Sequence, residues 1–137
     1  EERGRQLFMA GRGQGGLACA ACHQPPTFAL AANSRSNGLD AGETTVFKAP
    51  SLKSVSRSGA FMHDGRFATL EAVVDFYSTQ VVDHPNLSPP LRTPGGGVRR
   101  PNFNAQEKAD LVNFLKSLTD TSLATNPKYS DPFNYGY

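Results

Sequence analysis

Cys19-Ala20-Ala21-Cys22-His23 is the stretch in which residue types and spacing together specify a chemistry. Two thiols three positions apart on a short turn can each add to one of the two vinyl groups of a haem. The imidazole that follows then faces the iron, and C-x-x-C-H is the attachment signature of haem c. His23 is therefore the expected proximal ligand, with Cys19 and Cys22 as the thioether residues. A thioredoxin-like C-x-x-C expects a βαβ setting, and no strand run precedes Cys19. A structural zinc site needs four ligands, and Cys19, Cys22, His63 and His84 are spaced like no common finger. A disulfide across two intervening residues is strained and leaves His23 without a role. One covalently bound haem c uses all three residues.

The composition agrees. At 137 residues the chain is one domain with length to spare for loops, and only 38% of it is hydrophobic. A haem supplies a flat apolar surface that offsets a thin side-chain core. Thirteen glycines and ten prolines indicate many turns and few strands. A net charge of +2, with only short basic clusters such as Arg99-Arg100, gives no argument for nucleic acid, and none is expected as a partner. No stretch approaches the roughly 18 apolar residues of a membrane span. The chain opens on Glu1-Glu2-Arg3 with no leader-like segment, which reads as a processed or partial polypeptide. Covalent haem attachment places it outside the cytoplasm, in the periplasm or secreted.

Three helices must position the motif. Residues 1 to about 12 form a short amphipathic helix with Leu7 and Phe8 on one side, ended by the glycine run Gly11 to Gly16. That run lacks the Lys-Ser/Thr and the preceding strand of a phosphate loop. Pro25-Pro26 stops the turn after His23 and sends the chain along an extended path. Residues 31–47 read as an irregular loop with Asn33, Asn37-Gly38 and Ala41-Gly42 as turn points. Thr69 caps a second helix, with Leu70, Val73, Val74 and Tyr77 on one face to about Ser78. Residues 80–103 read as a long surface loop. Asn104 and Glu107 make a capping box for a third helix carrying Leu111, Val112, Phe114, Leu115 and Leu118, expected to pack across the first. The tail, residues 121–137, holds Tyr129, Phe133, Tyr135 and Tyr137 and should lie on the domain or on a neighbour. The fold class is all-α and cytochrome c-like, with the haem domain over residues 1–120.

Met62, His63, Tyr77 and Met9 are the candidates for the sixth ligand. By chemistry alone Met62 is attractive, because His/Met ligation raises the potential of a cytochrome c. It also reads as a flexible core methionine beside Phe61.

Cys19 to His23, Lys48-Ala49-Pro50-Ser51-Leu52, Phe61-Met62-His63-Asp64-Gly65, Ala68-Thr69-Leu70-Glu71 and Leu111 to Asp120 occur in an order that resembles the C-terminal haem domain of bacterial di-haem cytochrome c peroxidases and MauG-like proteins. The resemblance implies two cytochrome c domains, of which this chain matches the electron-feeding half. It also implies a distal ligand fourteen positions beyond the His-Asp-Gly histidine, where Tyr77 stands, tyrosine being the MauG-like choice. Tyr77 is then favoured, with Met62 the alternative, and His63 and Arg66 are taken as haem-edge contacts. The family's calcium, held partly by carbonyls near Ser58 and Ala60, is not expected here. The proline usual at the second position is absent, and a further ligand normally comes from the other domain.

The functional expectation is a mono-haem c-type domain that transfers one electron. An electron-feeding domain or subunit of a di-haem peroxidase or MauG-like enzyme is the alternative. A haem-stacking subunit of a larger assembly is the second. The partner is a redox protein or a second haem domain, with residues 80–103 and the tail as candidate contact surfaces.

Overall fold

The computed structural model describes residues 1–29, 35–123 and 125–133. Among these, three α-helices and several short tight helical turns make up the regular structure: α1 (Glu2–Met9), α2 (Leu70–Asp75) and α3 (Ala105–Ser117). The described residues contain only isolated bridges between extended segments, such as Ser36 with Leu87 and Phe61 with Phe67, and no strand. The chain is helical, as an all-α cytochrome c-like domain should be.

Helix α3 begins as its capping box requires. The Asn104 carboxamide oxygen accepts from Glu107 N at 2.9 Å, and the Glu107 carboxylate accepts from Asn104 N at 2.8 Å. A good cap stabilises a helix by about 1 kcal/mol. Leu111, Val112, Phe114 and Leu115 are buried along it. Thr69 caps α2 through Ala72 N at 3.1 Å, and Leu70 and Val74 are buried. Salt bridges from Lys116 to Glu71 and from Lys108 to Asp75 run between α2 and α3.

Helix α1 crosses α3 in close backbone contact, and Gly4 makes it possible. A β-carbon on Gly4 would sit 1.9 Å from the Asp110 carbonyl oxygen, so only glycine lets the backbones approach this far. Arg3 Nε donates to the Asp110 carboxylate at 2.8 Å beside the crossing, and Gln106 donates to it at 3.2 Å. The Arg3 guanidinium holds the Asp110 carboxyl below the usual carboxylate range. Above this point Phe8, Phe28 and Phe114 form a ring cluster with centroids 5.1 to 6.3 Å apart. Phe28 belongs to the loop after His23, so the cluster ties the haem motif to both helices.

Two expectations change. The second helix does not stop near Ser78 as a regular α-helix; it widens into a π-helical turn over Phe76–Gln80. The 80–103 segment is not merely a surface loop. It buries Val81, Leu87, Leu91 and Phe103 in the core. Its backbone can be buried because its polar groups are met: Phe103 N by the Ser78 hydroxyl at 2.9 Å, and the Val81 carbonyl by Arg100 at 2.6 Å. Of the 31–47 loop, residues 35–47 are irregular as expected, and 31–34 lie outside the described residues. In the tail, Tyr129 is 60% and Phe133 71% exposed, so the domain does not itself bury these rings. Tyr135 and Tyr137 lie outside the described residues.

Replacing Gly4 with alanine should force α1 off α3 and lower stability by on the order of 3 kcal/mol. Urea denaturation of the variant checks this, and an unchanged midpoint would show that the crossing is not close-packed.

Candidate haem site

The motif is held against the end of α1. Ala18 N donates to the Ala10 carbonyl at 3.0 Å, and Arg99 donates to the Gly16 carbonyl. Cys19–Ala21 then form one tight 3₁₀ turn, with Ala18 in the left-handed region before it. His23 N donates to the Cys19 carbonyl at 2.9 Å, which closes the five-residue motif on itself.

The His23 ring is oriented by backbone. Nδ1 lies 3.1 Å from the Phe28 carbonyl oxygen and 3.0 Å from that of Pro50. Both partners only accept, so Nδ1 carries the proton and Nε2 keeps a free lone pair. This is the tautomer that a metal-ligating histidine needs, fixed by its outer-shell bonds. Burial pulls His23 below the ordinary histidine range, and the two carbonyls partly offset it. The ring is therefore neutral at pH 7.

Cys19 and Cys22 are free of disulfide. Burial pushes the Cys19 thiol up to about 12. A thioether has no proton to lose and suits such a place better than a thiolate does. Cys22 Sγ lies 3.9 Å from the Ser88 hydroxyl, so the 80–103 loop walls the site on that side.

Tyr77 sits in the π-helical turn, its ring edge-on to Phe76 at 4.9 Å. Single π turns recur at functional sites because the extra residue re-aims a side chain. Burial pushes the Tyr77 phenol up to about 12; Asn37 lowers it, while Cys19 and Cys22 raise it further. Alone the phenol stays neutral at pH 7, and only a nearby positive charge, such as a metal ion, would favour the phenolate.

Met62 meets Tyr77 at one atom. Asn37 Nδ2 donates to Met62 Sδ at 3.6 Å and to Tyr77 Oη at 3.3 Å. Met62 has φ of 69°, a left-handed backbone that an unbranched side chain adopts only at a cost, held by the turn that Phe61 and Phe67 close. The structure therefore joins Met62 and Tyr77 through Asn37 and packs both, with Cys19, against one core cluster.

His63 and Arg66 have other partners. His63 Nδ1 lies 3.3 Å from the Glu43 carboxylate, and its ring stacks on Phe47 at 4.2 Å. Arg66 grips Asp40 at 2.7 and 3.0 Å and Asp64 at 2.6 Å. An open cleft of about 380 Å³, lined by Asp40, Glu43, Phe47 and His63 among others, lies beside them. His84 is tied by Nε2 to the Glu43 carbonyl at 2.7 Å and by Nδ1 to Asn86 N at 3.0 Å, so both its ring nitrogens are engaged. Among the described residues no group of three or more His, Cys, Asp or Glu could hold a metal ion, which speaks against the zinc alternative. Met9 is 44% exposed on the surface.

Asn37 and Ser88 were not legible as site residues. Asn37-Gly38 carries the signal of a turn, and nothing local announces contacts 40 and 25 positions away.

The family model described as di-haem cytochrome c peroxidase matches residues 1–134. The chain belongs to that family. It is 31% identical over 131 residues to the methylamine utilization protein MauG of Methylorubrum extorquens, covering 85% of this chain and 34% of that protein. It is 34% identical over 84 residues to the cytochrome-c peroxidase IdrP1 of Denitromonas iodatirespirans, covering 60% and 20% of the two chains. Among solved structures, a MauG-like protein associated with microbial copper homeostasis superposes with a TM-score of 0.69 at 29% identity, over 97% of this chain and 50% of that one. The chain thus spans about a third of the MauG relative's length and half of the solved structure's.

Three features suit these residues to haem c, the cofactor that the family implies: two unpaired thiols, a histidine with Nε2 free, and partly buried apolar side chains such as Leu52, Phe61, Phe67 and Val98 that, like Cys19, pack against the core. Phe28→Ala should cost about 2 kcal/mol by removing one ring of the cluster and loosening the loop that orients His23. Thermal unfolding monitored by near-ultraviolet dichroism checks it, and an unchanged transition would detach the ring cluster from the site.

Proposed function

We propose that this chain is a haem c domain of the di-haem peroxidase and MauG-like family whose work is one-electron transfer. The observation that carries this reading is the His23 ring, held by two carbonyls with Nε2 free, next to two unpaired cysteines. Cys19 and Cys22 would hold the haem covalently and His23 would ligate it on the proximal side. Tyr77 is the favoured distal ligand, with Met62 the alternative. A haem c bound there supplies a couple between ferric and ferrous iron.

The protein's share is orientation and electrostatics. The Phe28 and Pro50 carbonyls hold the proton on Nδ1 and keep the imidazole electron-rich. Partly buried aromatic and aliphatic side chains packed against a bound haem would exclude water and keep reorganisation small. A tyrosinate at Tyr77 is a hard anionic donor that favours the oxidised state, so the domain would work at lower potential than a His/Met cytochrome.

The partial coverage of its relatives favours a second reading, in which this domain feeds electrons to another haem domain of a peroxidase or MauG-like enzyme. Exposed Tyr129 and Phe133 are candidates for contact with such a partner. No helix among the described residues is long and apolar enough to cross a membrane. We place the protein outside the cytoplasm, where c-type haem is attached.

His23→Ala should abolish low-spin haem ligation, read in the visible spectrum; an unchanged spectrum would overturn the assignment. Tyr77→Phe should remove the tyrosinate signature in electron paramagnetic resonance and raise the reduction potential. A variant with wild-type resonance and potential would transfer the distal role away from Tyr77.

A further inference from the structure

We propose that Asn37 is a positioning residue that selects Tyr77 over Met62 as the distal ligand. The inference rests on the reading of Tyr77 given above and goes beyond it, because it names the group that makes the choice. Asn37 Nδ2 lies 3.3 Å from Tyr77 Oη and 3.6 Å from Met62 Sδ, so one amide nitrogen addresses both candidates.

The amide's orientation is fixed. Its Oδ1 accepts from Leu39 N at 3.2 Å, two residues on, which turns the NH₂ group toward the candidates. The turn itself is locked. Ser36 Oγ accepts from Gly38 N at 3.0 Å, and the Gly38 carbonyl accepts from Val82 N at 2.9 Å, just past the π-helical turn that carries Tyr77. Gly38 has φ of +72°, and a β-carbon there would sit 2.6 Å from Val81 Cγ1. The turn that carries Asn37 is thus pinned to the segment directly after the π-helical turn that carries Tyr77.

An NH₂ group only donates, and the two acceptors do not reward it equally. A thioether sulfur is a weak, uncharged acceptor. A phenolate is an anion, and hydrogen bonds to anions are about twice as strong as neutral ones. Once either side chain serves as ligand, the bond from Asn37 gains most if the ligand is the tyrosinate. The amide therefore tips the balance toward Tyr77 without touching the metal.

The test uses the haem-loaded protein and two variants. Asn37→Asp keeps the shape and the oxygen that accepts from Leu39 N, but turns an acceptor toward Tyr77. Asn37→Leu removes all polarity, and Asn37→Asp decides alone if the leucine variant does not fold. Electron paramagnetic resonance and the sulfur-to-iron charge-transfer band report which ligand is bound. The ratio of tyrosinate-ligated to other forms should fall at least roughly tenfold in the variants. A tyrosinate-ligated wild type whose ratio is unchanged in every folded variant overturns this inference alone. A wild type with no tyrosinate signature overturns it together with the reading of Tyr77.

Discussion

The contact on which the rest of the molecule depends is the crossing of α1 and α3 at Gly4. With no β-carbon in the way, the α1 backbone lies directly against the Asp110 carbonyl. That approach brings Phe8 and Phe114 together, and Phe28 packs its ring against both. Phe28 has φ of 55°, an uncommon backbone for a non-glycine residue, and the ring cluster holds it there. Its carbonyl is then one of the two that meet His23. A helix crossing thus sets the tautomer of an imidazole through one phenylalanine.

The opposite wall is made of loops, and loops can build it because they are pinned to one another. Ser36 N donates to the Asn86 carbonyl at 3.0 Å, and Ser88 N donates to the Ser36 carbonyl at 2.9 Å. This short pairing sets Ser88 against Cys22 and Asn37 against Tyr77. With few strands or long helices available, the chain uses isolated bridges, buried hydroxyls and arginine-to-carbonyl bonds to satisfy backbone that must pass near the core. The high glycine and proline content is consistent with that solution.

The charged rim has a different character. Arg66 with Asp40 and Asp64, and Glu43 with His63, form a polar cluster at an open cleft. Ion pairs as exposed as those of Arg66 contribute little to stability. The Glu43 side chain is only 8% exposed, so its contact with His63 is the more consequential of the two. The cluster keeps His63 turned toward Glu43 and Phe47 while its neighbour Met62 contacts Asn37. Adjacent residues serve separate surfaces.

Much of this was written in local sequence. C-x-x-C-H pointed to haem c and to three candidate residues for it, because the chemistry needs them within five positions. Thr69, Asn104 and Glu107 announced the starts of α2 and α3, because capping is satisfied within one turn. The ordered motifs named the family. What tertiary structure alone decided is everything that depends on distant segments meeting. The burial of residues in the 80–103 segment, the carbonyl of Pro50 on His23, and Asn37 between Met62 and Tyr77 belong to that class. The reason is physical. A capping bond or a thiol pair spans a few residues and leaves a pattern, whereas a hydrogen bond across 40 positions exists only once packing has brought its ends together.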